Sequence, residues 1–252
     1  AGRRRDTASP SGVREHVDHW GVGRGEGERA RQPHDARHLR GPHAGEPAGQ
    51  GSVQRGDGVH LFAPMGMTST AFASTEEMRS RKARMHVRGP DGSLQPQPDS
   101  PPSDTAEFEM GGGGLVGTVE DYGCFIRMIL NRGRAGGQQI LKPETVAMMS
   151  LNQMGDSRVT KLRSAAGVSN DAEFFPGIEK TWGLSFMINE QDAPTGRAAG
   201  SLAWAGLANT YYWIDPKNGI GGVYATQILP FADDAALPHY LAFEKAVYDG
   251  LK

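Results

Sequence analysis

Nucleophilic chemistry needs a hydroxyl or thiol with a base in reach. Ser69, Ser80, Ser157 and Ser185 lack a Gly-x-Ser-x-Gly elbow, and neither His86 nor His239 has a sequence feature that ties it to a nucleophile. Cys124 is the single cysteine. It cannot close an internal disulfide, and its apolar surroundings point to a buried thiol rather than a reactive one. Glu76-Glu77 and Asp233-Asp234 are adjacent acids, the pattern of a solvated helix start rather than of an acid–base pair. His34, His38 and His43 lie close in sequence, but nothing nearby supplies the packed second shell that fixes a metal. No metal or organic cofactor is expected.

The elements that would position such residues occupy only part of the chain. Residues 1–60 contain ten Arg, no Lys, twelve Gly and six of the eight His, with no Ile, Phe, Tyr, Met or Asn. So little apolar surface cannot offset the entropy of ordering a chain, and this segment is expected to be disordered. Three readings compete for it. An arginine-rich tail for nucleic acid is weakened by eight acids scattered among the ten Arg. A linker would carry more Ser and less Arg. Translation of GC-rich DNA out of frame accounts best for an alphabet rich in Arg, Gly, Pro and Ala.

From Leu61 the chain acquires elements. Ser74-Thr75-Glu76-Glu77 opens a short helical stretch with acids in its first turn, Arg88 to Ser93 form a turn, and the four prolines between Gln95 and Ser103 mark a surface loop. Gly111 to Gly114 permit close chain approach. Thr118 caps a helix that Gly133 stops, with Tyr122, Phe125, Ile126, Ile129 and Leu130 as its buried face. A second helix runs from Pro143 to about Asn152, with Val146, Met148 and Met149 as packing residues. Strands are expected at Trp182–Asn189, Ser201–Ala205, Thr210–Ile214 and Ile220–Gln227, the last two joined as a hairpin through Asp215-Pro216-Lys217-Asn218-Gly219. A closing helix from about Asp234 to Leu251 offers Leu237, Leu241, Phe243, Ala246, Val247 and Leu251 to a sheet.

These elements carry a resemblance. Phe62-Ala63-Pro64-Met65-Gly66-Met67-Thr68-Ser69-Thr70-Ala71-Phe72, then Gly111 to Leu115 with Asp121-Tyr122, then Ile140-Leu141-Lys142-Pro143-Glu144-Thr145-Val146, then Trp204-Ala205-Gly206 with Tyr212-Trp213-Ile214-Asp215-Pro216 and Thr226-Gln227, follow one another in family order. Together they resemble the C-terminal part of serine β-lactamase-like proteins, including class C-like carboxylesterases and penicillin-binding-protein relatives. The resemblance implies an α/β (α+β) transpeptidase-like fold, an antiparallel sheet flanked by helices, incomplete on its N-terminal side. It implies hydrolysis of small esters, or of amides or β-lactams, through an acyl-serine intermediate.

In that family a Ser-x-x-Lys nucleophile and a Tyr-x-Asn or Tyr-x-x element act beside a Lys-Thr-Gly or Trp-x-Gly strand. Trp204, Ala205 and Gly206 stand at the strand motif, and the Leu207 N–H at an oxyanion donor. By sequence pattern alone Trp204 reads first as a packed strand aromatic, and the ordered landmarks reverse that. No serine in the chain has a lysine three residues on, and no tyrosine has an asparagine two residues on, so the nucleophile and its base are not present.

The organisation expected is therefore residues 1–60 as an atypical segment and 61–252 as the C-terminal part of a hydrolase domain. A small-molecule ester or amide is the expected partner. The net charge of −2 gives no reason to expect nucleic acid or an anionic membrane. No signal peptide or run of about 18 apolar residues is seen, oligomeric state is left open, and a soluble chain is expected. Two alternatives stand beside the hydrolase: a non-catalytic remnant of the same fold that binds a ligand or partner, and an interaction protein using the arginine-rich tail.

Overall fold

The computed structural model describes residues 58–98, 112–165 and 167–251. The chain divides into two units, 1–48 and 49–252, and all described residues belong to the second. The expectations placed on residues 1–57, including those for His34, His38 and His43, and those for residues 99–111 lie outside the described residues.

The framework is a five-stranded antiparallel sheet, β5 (Lys180–Trp182), β6 (Met187–Asn189), β7 (Leu202–Gly206), β8 (Thr210–Asp215) and β9 (Ile220–Tyr224), joined in sequence order. Consecutive antiparallel neighbours need only hairpins, and the β8–β9 turn falls where its Asp-Pro-Lys-Asn-Gly sequence places it. The Asp215 carboxylate accepts from the Asn218 N–H at 3.0 Å, and Gly219 takes φ +70°.

Side chains of β8 alternate between two apolar layers. Tyr212 and Ile214 face a layer with Leu202, Ile126, Ile129 and Phe186, whereas Tyr211 and Trp213 face one with Ala203, Tyr240 and Tyr248. The first layer is closed by α3 (Val119–Leu130) and the second by α5 (Ala236–Asp249). Between them in sequence lies α4 (Pro143–Met149); α1 (Ala63–Met65) continues a π-helical turn at Gly58–Phe62, and α2 (Glu76–Ser80) follows. A smaller sheet has the order β10 (Ile228–Leu229), β1 (His86–Arg88), β2 (Leu94–Pro96), and β3 (Arg134–Ala135) pairs with β4 (Gln138–Gln139).

Capping logic holds where it was read. The Thr75 hydroxyl accepts from Met78 N–H at 3.2 Å and that of Thr118 from Asp121 N–H at 3.2 Å. At the end of α3, however, Arg132 takes the left-handed position at φ 54°. Gly133 follows at φ 86°, its N–H bonding Met128 O at 2.8 Å, where a Cβ would lie 2.0 Å from Leu141 O.

Several boundaries differ from the sequence reading. The stretch Trp182–Asn189 is two strands and a turn, with Ser185 at φ 81° reversing the chain. Gln95 and Pro96 belong to β2, where Pro96 is tolerated because this strand is an edge. Ile220–Gln227 ends as a strand at Tyr224, and the chain crosses to the small sheet at Ile228. Helix α4 stops at Met149, and Met148 is 48 % exposed instead of packed. On α5 the buried residues are Ala236, Tyr240, Glu244 and Tyr248, while Leu251 is 61 % exposed beyond the helix end. The polar pair that makes this face possible is buried: Arg197 forms a bidentate bridge to Glu244 at 2.7 and 2.8 Å, and Thr195 also donates to Glu244.

Candidate active site

The last three residues of β7 differ from its first two in their neighbours. Strand β6 pairs with Leu202 and Ala203 and then parts from β7, so Trp204, Ala205 and Gly206 are paired only with Tyr212, Tyr211 and Thr210 of β8. The edge of β7 facing β6 is therefore open along these residues. Trp204 is half-buried and stands edge to face with Trp182, ring centroids 4.5 Å apart, with Phe174 at 6.3 Å. It is thus both a packed aromatic and a wall of the open edge. Its hydrophobic contacts reach both core layers.

Beyond Gly206 the chain turns through Leu207, Ala208 and Asn209, and this turn is held through Ala208 O and the backbone and side chain of Asn209. Asn209 N–H bonds Gly206 O at 3.0 Å. Ala208 O accepts from the Thr226 hydroxyl at 2.7 Å and from Ile228 N–H at 3.2 Å. Asn209, at φ 59°, is fully buried; its amide donates to Ile228 O and Pro230 O, both at 2.8 Å, and its carbonyl accepts from Tyr211 hydroxyl at 2.6 Å and Asp233 N–H at 3.0 Å. Leu207 is 54 % exposed, and its N–H meets no acceptor among the described residues. A donor without a partner among the described residues, on a hydrogen-bonded turn, is chemically able to bond an anionic oxygen. Asn209 was not singled out from the sequence, and Thr226 only within the Thr226-Gln227 landmark; the dipeptide Asn209-Thr210 after a strand signals a turn, and its buried hydrogen bonds are set by chain 17 to 24 residues further on.

The remaining candidates lie elsewhere. The Ser69 N–H and Thr70 hydroxyl bond one oxygen of buried Asp121, at 2.8 and 2.7 Å, which ties the Phe62–Phe72 landmark to the start of α3. These residues are a structural joint. Asp233, expected in a solvated helix start, is 1 % exposed: it bridges Arg88 and accepts from Ala235 and Ala236 N–H at 3.1 and 2.9 Å at the head of α5. Burial raises its pKa and the Arg88 and helix N–H hydrogen bonds lower it, leaving the carboxyl below its ordinary value. Cys124 is half-buried, not buried, and its Sγ accepts from Arg127 at 3.0 Å. Tyr122 lies 5.0 Å from Tyr212, ring to ring, and burial pushes its hydroxyl up to about 12. Among the described residues no group of three or more His, Cys, Asp or Glu is placed to hold a metal, and no helix is long and apolar enough to cross a membrane.

The chain is similar in sequence and fold to known proteins. Protein Rv1367c of Mycobacterium tuberculosis is 30 % identical over 178 residues, 68 % of this chain and 42 % of that protein. Lovastatin esterase of Penicillium rubens is 26 % identical over 75 % of this chain and 48 % of its own length. A mutant of simvastatin synthase from Aspergillus terreus superposes with a TM-score of 0.62 at 23 % identity, covering 79 % of this chain and 50 % of the other, a likeness of fold. The chain spans about half the length of these relatives. The Beta-lactamase family model matches residues 43–246, reaching into the segment set apart by composition, and the chain belongs to that family.

Proposed function

We propose that Trp204 to Leu207 form the strand wall and one oxyanion donor of an acyl-transfer site that cleaves small esters through an acyl-serine intermediate, the serine coming from the part of the Beta-lactamase domain that this chain does not span. The observation that carries this reading is the Leu207 N–H, exposed and without an acceptor on a turn otherwise pinned by Asn209 and Thr226. An N–H held in place before charge develops stabilises an oxyanion without reorganisation in the transition state. Relatives support the class: among the curated proteins matched are an acyltransferase of Penicillium decumbens, 27 % identical over 69 % of this chain, and the lovastatin esterase.

The test is turnover of p-nitrophenyl butyrate by pure, folded protein carrying the whole Beta-lactamase domain. Turnover abolished by a serine-directed phosphonate supports the reading. Leu207→Pro, which deletes the donor, should then lower kcat by about 10²–10³, while Leu207→Gly, which keeps it, should not. A second reading is a ligand-binding remnant of the same fold, favoured by the absence of any Ser-x-x-Lys or Tyr-x-Asn from the 252 residues. Folded protein without turnover would decide for it.

The first 42 residues precede the family match, and for these we retain the out-of-frame reading. Their coding DNA should contain, in another frame, a segment with Tyr-x-Asn spacing; if no frame does, the linker reading takes its place.

A further inference from the structure

Arginines are paired unevenly over the molecule. Arg81, Arg88, Arg158, Arg163 and Arg197 each bridge a carboxylate. Arg127, Arg132 and Arg134 bridge none among the described residues. These three crowd one stretch: from Gly123 to Pro143 the chain carries them and Lys142, with no Asp or Glu.

The same stretch holds a cavity. Between α1, the second half of α3 and the β3–β4 hairpin lies a pocket of about 160 Å³ whose lining includes Met65, Cys124, Arg127, Met128, Asn131 and Arg134. A wider recess of about 360 Å³ shares Asn131 and Arg134 with it and runs along the hairpin glycines. Backbone contact sets the walls, since a Cβ on Gly136 would lie 2.3 Å from Pro64 O. The floor is apolar, with Met65 8 % and Met128 1 % exposed, and the rim is cationic. The rim guanidiniums are lightly engaged. Arg127 donates to Cys124 Sγ at 3.0 Å, a weak acceptor. Arg134 donates to Gln139 Oε1 and Gly137 O at 3.4 Å each, beyond the usual N–H···O range. The C-terminal carbonyls of α3 place only about half a negative charge against these two full positive ones.

We propose that this pocket binds a phosphate monoester, its phosphate between Arg127 and Arg134 and its apolar body on the methionine floor. A phosphate monoester carries up to about two negative charges, which matches the two guanidiniums, and each guanidinium fork can bond a pair of phosphate oxygens. A carboxylate offers one charge and two oxygens, too few for both arginines. None of the lining residues belongs to β7 or to the turn after it, so the site stands apart from the acyl-transfer reading.

The experiment uses Cys124, the single cysteine, as a reporter inside the pocket, which excludes any signal from anions held by the ten arginines of residues 1–60. Its alkylation by iodoacetamide in the whole chain is followed by mass spectrometry as phenyl phosphate is added. The alkylation should slow saturably, by about tenfold at about ten times the Kd, and phenol should have no effect. Arg127→Gln and Arg134→Gln, both at exposed positions, should each raise that Kd about tenfold, and Arg158→Gln, which removes an equal charge elsewhere, should leave it unchanged. Three results overturn the proposal: no saturable slowing by phenyl phosphate; benzoate protecting at the same concentration; or a Kd unaltered in both the Arg127 and Arg134 variants.

Discussion

Asn209 does two things that few other side chains can do together. It holds a left-handed backbone, φ 59°, and it satisfies four hydrogen-bonding groups from inside the protein. Asn209→Ala loses both: the left-handed conformation costs an ordinary residue about 1–2 kcal/mol, and the orphaned Ile228 and Pro230 carbonyls and the Asp233 N–H add about 1–3 kcal/mol. Asn209→Gly keeps the backbone and loses only the bonds. Urea denaturation should therefore rank wild type above Asn209→Gly above Asn209→Ala, the two variants about 1 kcal/mol apart. Equal losses for the two would mean that the backbone conformation is not held in this region. None of this was legible at residue 209 itself. The strand through Trp204 and Ala205 was, because a strand is set by its immediate neighbours, whereas the partners of Asn209 come from the Thr226–Asp233 segment.

At the scale of elements, the hairpin of β8 and β9, the opening of α2 and the Thr118 cap of α3 were readable because each is decided within a few residues. The centre of the buried face of α5 was not. Counting apolar residues gives Leu237, Leu241, Phe243, Ala246, Val247 and Leu251, of which Leu237, Leu241 and Val247 pack against the core and Phe243 against Trp213; the fully buried centre is Ala236, Tyr240, Glu244 and Tyr248 at four-residue spacing. The omission comes from Glu244, a charge that periodicity assigns to solvent and that Arg197, from outside the helix, carries into the interior. Arg197 also lies 4.7 Å from the Phe175 ring centroid and donates to Tyr240 hydroxyl at 3.1 Å. Breaking one side leaves an unpaired buried charge, so Glu244→Ala should cost about 3–5 kcal/mol. Replacing both, as Glu244→Leu with Arg197→Met, should cost less than either single change, since apolar residues of similar volume lose no buried charge. A double variant as unstable as the sum of the singles, measured by urea midpoint, would contradict this. On β9, Gly222 is fixed by contact: a Cβ there would lie 2.3 Å from the Trp213 ring. Gly222→Ala should therefore destabilise by about 1–3 kcal/mol, visible as a lowered Tm with the far-UV circular dichroism unchanged.

For the whole molecule, two carboxyls bind the sheet to the elements around it, and both are held below their ordinary pKa. Asp215, at the end of β8, is raised by burial but lowered further by hydrogen bonds from Ala198 and Asn218 N–H, the Asn218 amide and the Tyr248 hydroxyl. It joins the β8–β9 turn to the last turn of α5. Asp233 joins the first turn of α5 to β1 through Arg88. A carboxyl with a folded-state pKa below its unfolded value of about 3.9 stays ionised in the folded state while the unfolded chain takes up protons. Its contribution is complete well above that unfolded value and is lost as pH falls toward the folded one. Urea midpoints should thus be level with respect to these two groups between about pH 5 and 7 and fall steeply below about pH 4. Asp215→Asn should lower the plateau and flatten the acid limb, and Asp215→Asn with Asp233→Asn should flatten it further. Because both residues clamp α5, its amides should be the first of the flanking helices to lose hydrogen-exchange protection on acidification; an acid limb as steep in the double variant as in the wild type would place the controlling carboxyls elsewhere.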